Sequence, residues 1–283
     1  MTMKKNMSIG VAQMDCTVGD VTDNLNKIER YAKLAAGMGA DLVVYPECCT
    51  TGYFLGDRMA DLVEPPDGPT ATRIGEIAKE NGLHMAVGSY TRDGNLMRNS
   101  QLLHGPDGKQ IAVYHKAHLF AAEREVCTPG DEPCIADTAL GKIGMTICYD
   151  LVFPEYARSL VDGGADFLIN STHWFNDLYQ RDVWGWEGSM TESMARTRAL
   201  ENLTYVAMAA RVGEESLGPE IVFDALGHSC VAAPSGKLLA SLPKGEGLGV
   251  AHIGLTDEDE AKWKGVATYH EDRRPGLYAK ATA

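Results

Sequence analysis

The sequence has no hydrophobic run long enough to cross a membrane and no cluster of basic residues. The apolar run near its start, SIGVAQM at residues 8–14, already includes Gln13 and is followed by Asp15. A membrane-spanning helix needs about 20 apolar residues, so neither a span nor a signal peptide is expected. Acidic and basic residues are intermixed at a net charge of −13, which argues against nucleic acid and membrane partners. We therefore expect a cytoplasmic protein.

The cysteines lack the spacing of a disulfide framework or of a zinc site. Seven is an odd number, and in a reducing compartment all seven should be thiols. One set of His and Cys side chains could be read as zinc ligands, but the short C-x-x-C pair is missing. We therefore expect no metal at these residues: His115, His118, Cys127 and Cys134.

Linkers rich in proline or serine, low-complexity blocks and fixed-period repeats are also missing from the 283 residues. A chain of this length can bury one large core. The sequence therefore predicts a single domain over residues 1–283.

Strand and helix patterns alternate along the chain, with hairpins inserted, which predicts an α/β fold with a mixed sheet. The predicted strands lie at 8–14, 41–45, 83–90, 98–104, 110–116, 142–148, 165–171, 203–210 and 249–255. The predicted helices lie at 21–39, 69–81, 154–164, 187–202 and 257–264. Residues 222–242 are predicted to form a late hairpin that turns at Pro234-Ser235-Gly236.

Three polar residues with complementary chemistry stand where apolar runs stop: Glu47, Lys116 and Cys148. Sites in α/β folds form beyond strand ends, where loops gather. A thiol attacks only as thiolate or with a base that takes its proton, and Glu47 could be that base. The oxyanion formed at an acyl carbon needs hydrogen-bond donors, and Lys116 with the backbone N–H of Tyr149 could supply them.

Other interpretations stay open at this point. Free cysteine is among the most buried residue types, so Cys148 could be a core residue. His173 or His115 could serve as the base in place of Glu47. The surroundings T-I-C-Y-D match neither the G-x-[SC]-x-G elbow nor the papain signature C-G-[SA]-C-[WY], which disfavours a histidine.

Five segments, in order, resemble those of the nitrilase superfamily, the carbon–nitrogen hydrolases: PECCTTGY, YHKAHLF, GMTICYDLVFPE, RALENLTYV and GHSCVAAPSG. The resemblance extends from about residue 8 to about residue 278, which would be the core of the domain. It implies Glu47 as general base, Lys116 as the catalytic lysine and Cys148 as nucleophile. It also implies a second catalytic glutamate at Glu123, eight residues before a P-G-D turn, although Glu125 is nearby.

The resemblance further implies an αββα sandwich with mixed sheets, two copies of which stack into a four-layer homodimer or a larger homo-oligomer, and no cofactor or metal. A non-catalytic binding relative would have no need to keep Glu47, Lys116 and Cys148 together. An amidotransferase half would call for a synthetase domain or a channel partner.

The expected substrate is a small-molecule amide, either aliphatic or an ω-amide, hydrolysed to a carboxylic acid and ammonia through a thioester. N-carbamoyl amines and amino acids come second and nitriles third, because true nitrilases tend to carry Cys-Trp-Glu where this chain has Cys148-Tyr149-Asp150. The candidates for the pocket wall are three aromatic residues: Tyr53, Trp174 and Phe175.

The aromatic-rich region 172–188 could lie over the pocket or at a subunit contact, with Trp184 and Trp186 as contact candidates. A substrate carboxylate would need a cation near the pocket, for which Arg196, Arg198 and Arg211 are available.

Overall fold

A computed structural model of the protein describes residues 6–177, 182–183, 187–217, 221–254 and 258–281. The strands are β1 Asn6–Asp15, β2 Leu42–Val44, β3 His84–Asp93, β4 Leu96–His104, β5 Gln110–His115, β6 Ile135–Thr138, β7 Gly141–Ile147, β8 Phe167–Thr172, β9 Phe175–Asn176, β10 Tyr205–Val212, β11 Glu214–Leu217, β12 Ile221–Ala225, β13 Cys230–Ala232, β14 Leu238–Ser241 and β15 Gly247–Gly254. The helices are α1 Val21–Gly37, α2 Met59–Leu62, α3 Pro69–Asn81, α4 Glu123–Val126, α5 Pro154–Asp162, α6 Ser189–Asn202, α7 Glu258–Val266 and α8 Pro275–Tyr278.

Two sheets stack face to face. One has the order β5-β4-β3-β2-β1, with β15 also pairing with β1, and the other has the order β10-β8-β7-β6, with β13 and β14 beyond β10. A short parallel pairing of β1 with β10, at Met14↔Arg211 and Asp15↔Val212, joins them at one edge. Both sheets mix parallel and antiparallel pairs, as the sequence predicts.

The inner strands are buried on both faces, so their sequences read as continuous apolar runs. In β2, Leu42 and Val44 face the core between the two sheets, whereas Val43 faces the outer layer. In β8, Phe167 and Ile169 face the same central core, whereas Leu168 faces outward. This alternation follows from the two-residue repeat of a strand.

Helices cover the outer face of each sheet. Ile28 of α1 and Ile74 of α3 pack on the first sheet, and Leu160 of α5 and Ala199 of α6 pack on the second. The layer order is therefore α, β, β, α, which confirms the predicted αββα sandwich.

The late hairpin is shorter than predicted. It consists of β13 and β14 alone, and the VFDA run before it forms β12, which pairs with β11 and β9 in a separate three-stranded sheet. The partner strand β11, EESL, has no apolar alternation from which this pairing could be predicted. No helix among the described residues is both long enough and apolar enough to cross a membrane.

Candidate active site

Strand ends bring Glu47, Lys116 and Cys148 together. Glu47 follows β2, Lys116 directly follows β5, and Cys148 directly follows β7. All three side chains are buried, with Glu47 at 0%, Lys116 at 1% and Cys148 at 6% exposure. Glu123, at the start of α4, is buried with them. Charged groups are rarely buried unless they are paired, so the charged side chains of this cluster have to form ion pairs and hydrogen bonds with one another.

The Lys116 ammonium lies between two carboxylates. Its Nζ donates to Glu47 Oε1 at 2.6 Å and to Glu123 Oε2 at 2.8 Å. The amide Nδ2 of Asn99 donates to the same pair, at 2.7 Å from Glu47 Oε1 and 2.6 Å from Glu123 Oε1. An ammonium has three donors, so these two bonds leave Lys116 one N–H for another acceptor.

The position of Glu47 depends on a glycine in the neighbouring strand. A Cβ on Gly88 of β3 would clash with the carbonyl oxygen of Pro46 and lie 2.7 Å from Glu47 Cα. The backbone at Glu47 can therefore approach β3 this closely only because residue 88 has no side chain.

Burial and the neighbouring charges have opposite effects on the pKa values of Lys116 and Glu47. Burial by itself lowers the pKa of Lys116, but Glu47 and Glu123 outweigh it, so that the pKa is raised well above the ordinary value. Burial raises the pKa of Glu47, Lys116 opposes this rise, and Glu123 adds to it. Lys116 is therefore a permanent cation, whereas Glu47 has a greater proton affinity than an ordinary glutamate, as suits a general base.

Cys148 lies on a tight turn beside Glu47. Its φ of 45° is a left-handed conformation that side chains seldom adopt, and such strain clusters at functional sites. Burial raises the pKa of Cys148 well above its ordinary value and Glu47 adds to the rise, while Lys116, Thr172 and the backbone of His173 favour the thiolate. The resting group is therefore a thiol. The Cys148 side chain also lowers the pKa of Glu47, so the two side chains are neighbours.

Asp150 fastens this turn to the loop that carries Lys116. Its Oδ2 accepts from Ile147 N and from the Tyr114 hydroxyl, each at 2.8 Å. Its Oδ1 accepts from His118 N at 3.0 Å and lies 2.8 Å from His118 Nδ1. The Tyr114 hydroxyl in turn accepts from Ala117 N at 3.1 Å. One buried carboxylate thus holds residues on both sides of Cys148 and of Lys116.

Neither histidine suggested by the sequence has the raised proton affinity that favours a general base. His115 Nδ1 lies 2.8 Å from Ser100 Oγ, and burial lowers its pKa. His173 is fully buried, and burial together with Arg211 and Lys116 lowers its pKa well below the ordinary value. In the part of the chain that the structure describes, neither ring nitrogen of His173 has a hydrogen-bond partner.

The three aromatic candidates for the pocket lie in two different places. Tyr53 and Phe175 belong to one cluster, with ring centroids 5.9 Å apart. The centroid of the His173 ring lies 5.2 Å from that of Tyr53 and 5.0 Å from that of Phe175. Trp174 instead packs in the central core that includes Cys148. Trp184 and Trp186 lie outside the described residues.

A buried ion pair supports the turn that carries Tyr53. The Glu215 carboxylate accepts from Tyr53 N and Phe54 N, each at 3.1 Å to Oε2, and it is paired with Arg211. Arg196 and Arg198 donate to backbone carbonyls of Gly236 and Leu151. All three arginines named as carboxylate anchors are thus engaged in holding the fold.

The sequence interpretation missed Asn99 and the clamping contacts of Asp150 and Glu215. Asn99 lies in β4 within the buried polar run Asn99–Gln101. The only feature of the sequence that points to Asn99 as a site residue is this run of three polar residues inside a strand. Among the described residues, no three His, Cys, Asp or Glu side chains are grouped so as to hold a metal ion.

Three comparisons bear on this site. The carbon–nitrogen hydrolase family profile matches residues 8–262. A nitrilase of Pyrococcus abyssi is 31% identical over 277 residues, which cover 96% of this chain and 99% of that protein, and an omega-amidase of Xenopus laevis is 32% identical over 230 residues, which cover 77% and 78%. A variant of the amidase from Nesterenkonia sp. AN1, with acrylamide added to its active-site cysteine, superposes with a TM-score of 0.78 at 25% identity, covering 97% of this chain and 99% of that one.

Proposed function

Because the chain belongs to the carbon–nitrogen hydrolase family, we propose that it hydrolyses a small amide to a carboxylic acid and ammonia, with Cys148 as the nucleophile. The observation that carries the proposal is the Lys116 ammonium held between Glu47 and Glu123 with the Cys148 thiol beside Glu47. These groups supply a nucleophile, a base and a fixed positive charge in one buried place.

The first half of the reaction transfers the acyl group. Glu47 takes the thiol proton through Oε2, which has no hydrogen-bond partner among the described residues, as Cys148 Sγ attacks the carbonyl carbon. The oxyanion accepts from the remaining N–H of Lys116 and from Tyr149 N. The C–N bond then breaks, Glu47 gives its proton to the leaving nitrogen, and a thioester remains on Cys148.

The second half regenerates the enzyme. Glu47 takes a proton from a water molecule, whose oxygen attacks the thioester carbon. The C–S bond breaks, the carboxylic acid leaves, and the thiolate recovers a proton from Glu47. Because the resting Cys148 is a protonated thiol, removal of Glu47 as base should block the first step.

The amide is placed ahead of the other substrates for two reasons. One solved relative is an amidase whose active-site cysteine reacts covalently, and another curated relative is an omega-amidase. A third is a nitrilase, so nitriles and N-carbamoyl compounds belong in the same test.

The test is ammonia release from aliphatic amides, ω-amides, N-carbamoyl amino acids and nitriles, with the intact mass of the protein followed during turnover. We expect an acyl adduct on the wild-type protein and no turnover by Cys148→Ala. The matched control is Cys134→Ala, which removes a half-buried thiol whose contact is Met145. Near-normal turnover by Cys148→Ala would refute the proposal.

A further inference from the structure

Asn99, in β4, contacts the three charged residues of the cluster, Glu47, Lys116 and Glu123. It is buried, with 1% exposure, and its backbone carbonyl oxygen accepts from Lys116 N at 2.8 Å. Its side-chain Nδ2 lies 2.7 Å from Glu47 Oε1 and 2.6 Å from Glu123 Oε1. Because an amide NH₂ group has two donors, each glutamate accepts one of them.

The direction of the Asn99 amide is fixed by these two carboxylates. A reversed amide would place Oδ1, which has no hydrogen to donate, against two carboxylate oxygens. In the observed direction Oδ1 is buried and has no hydrogen-bond partner among the residues that the structure describes. An unpaired buried acceptor costs free energy, whereas hydrogen bonds to carboxylates are among the strong ones. The two bonds to Glu47 and Glu123 therefore determine how the amide is oriented.

A hydrogen-bonded bridge on the same face of β4 holds Asn99 in place. Gln101 lies two residues further along the strand and therefore faces the same side. Its Nε2 donates to Ser171 Oγ at 2.7 Å, and Ser171 Oγ donates to Tyr45 O at 2.6 Å. Tyr45 lies two residues before Glu47, so β4 is tied to the segment that carries the general base.

The two carboxylates accept hydrogen bonds unequally. Both donors to Glu47, from Lys116 and Asn99, go to Oε1, and Oε2 has no partner among the described residues. Glu123 accepts at Oε1 from Asn99, and at Oε2 from Lys116 Nζ at 2.8 Å and from Phe120 N at 3.0 Å. Of these two side chains, only Glu47 therefore has an oxygen without a donor, and that oxygen is free to take a proton.

We propose that Asn99 is a positioning residue that selects Glu47 Oε2 as the atom that takes the proton of Cys148. One hydrogen bond from Lys116 would leave the Glu47 carboxylate free to rotate about it, whereas a second donor on the same oxygen fixes Oε1 and so directs Oε2. The second N–H of the same amide holds Glu123, so one side chain sets the separation of the two carboxylates. This inference rests on the proposed function and adds to it a residue that acts through Glu47.

Asn99 also favours the charged form of Glu47, because a hydrogen bond donated to a carboxylate stabilises the anion. The titratable groups that face Glu47 are Lys116, Glu123 and Cys148. Three more groups lie near enough to interact with its charge and stay neutral, since burial raises the pKa of each: Cys48, Tyr53 and Cys127. Loss of the Asn99 donor should therefore raise the pKa of Glu47.

The test measures kcat and kcat/KM for ammonia release against pH in Asn99→Leu, which keeps the approximate shape of the side chain and removes both donors. The pH at which kcat/KM falls on acidification should rise by about 1–2 units. At higher pH, where Glu47 is ionised in both proteins, kcat should fall about 10- to 100-fold while KM changes less than about 3-fold. Asn99→Asp is an isosteric second variant that removes the same donors and adds a negative charge, so it should shift the fall in the same direction.

Asn170→Leu is the matched control. Asn170 is a buried asparagine of β8 whose Nδ2 donates to Thr146 Oγ1 at 2.9 Å and whose Oδ1, like that of Asn99, has no partner among the described residues. Its substitution should lower the Tm, because a buried hydrogen bond is lost, and should leave the pH dependence of kcat/KM unchanged. Thermal unfolding by circular dichroism shows whether each variant is folded at the assay temperature.

A second readout needs no hydrolysis. Acrylamide adds a thiol across its C=C bond, and the intact mass of the protein gives the rate of this addition, with Cys148→Ala showing that the adduct is on Cys148. The rate should rise with pH as Glu47 becomes able to take the thiol proton. In Asn99→Leu this rise should occur about 1–2 units higher.

Each outcome decides the inference. An unchanged pH dependence in folded Asn99→Leu or folded Asn99→Asp would overturn it, as would an equal shift in Asn170→Leu. If the wild type releases no ammonia from any amide but the pH dependence of acrylamide addition shifts as expected, the proposed function fails and the assignment of Asn99 stands. If the wild type neither hydrolyses amides nor reacts with acrylamide at Cys148, both fail.

Discussion

Asp150→Asn tests whether one buried carboxylate fixes the positions of Cys148 and Lys116 relative to each other. Asp150 is fully buried and accepts from two backbone N–H groups and the Tyr114 hydroxyl, with His118 Nδ1 as its fourth contact. An asparagine keeps one acceptor oxygen and turns an NH₂ group toward donors on the other side. Two charge-assisted hydrogen bonds are then lost.

Each such bond contributes about 1.5–3 kcal/mol, so the loss of two in Asp150→Asn should lower the free energy of unfolding by about 3–6 kcal/mol. For a chain of this size, roughly 2 °C of Tm corresponds to 1 kcal/mol, which predicts a fall in Tm of about 6–12 °C. Since misplacement by about 1 Å can cost 100-fold in rate, kcat should fall by about 10- to 100-fold in the fraction that stays folded.

Thermal unfolding by circular dichroism gives the first quantity, and ammonia release at a temperature well below the Tm of the variant gives the second. Tyr114→Phe is the graded control, because it removes one of these hydrogen bonds and should cost about 1.5–3 kcal/mol. A variant Asp150→Asn with the Tm of the wild type and an unchanged kcat would refute the clamp.

Two further predictions concern Glu47. Glu123→Gln removes a charge that raises the pKa of Glu47. In the wild type we expect kcat/KM to fall on acidification at a pH above 4.5, where Glu47 becomes protonated, and in the variant this fall should occur at lower pH. A fall at the same pH or at higher pH would contradict the effect of Glu123 on Glu47. Gly88→Ala places a methyl group against Pro46 O and Glu47 Cα, so it should cost about 1–3 kcal/mol of stability and most of the activity. Gly37→Ala, for which an added Cβ meets nothing within 4 Å and the backbone φ is not positive, controls for the loss of a glycine; equal activity in the two variants would show that the close approach is unimportant.

The catalytic candidates were predictable because strand ends are predictable. The apolar runs before Glu47, Lys116 and Cys148 end where the structure ends β2, β5 and β7 or within a few residues of it, and a polar residue at the end of a buried strand has few structural reasons to be there. The αββα layering followed from the alternation of elements together with the family resemblance.

The supporting residues were not predictable, since each acts across a large separation in sequence. Glu215 clamps a turn 162 residues earlier in the chain, and the role of Asp150 depends on a loop 32 residues before it. Trp174 and Phe175 are neighbours in sequence but occupy the central core and the Tyr53 cluster respectively, because successive side chains near a strand point in opposite directions. A pattern of aromatic residues could not separate them.

The protonated state of Cys148 has a consequence for how the protein meets its chemical surroundings. Peroxides and common alkylating agents react with thiolates, and burial together with Glu47 keeps the resting sulfur a thiol. In the proposed mechanism, Cys148 is therefore unreactive until a carbonyl compound binds in the geometry that lets Glu47 take the thiol proton. A reagent designed to label this enzyme should imitate the shape of an amide, because reactivity toward thiolates alone would not select Cys148.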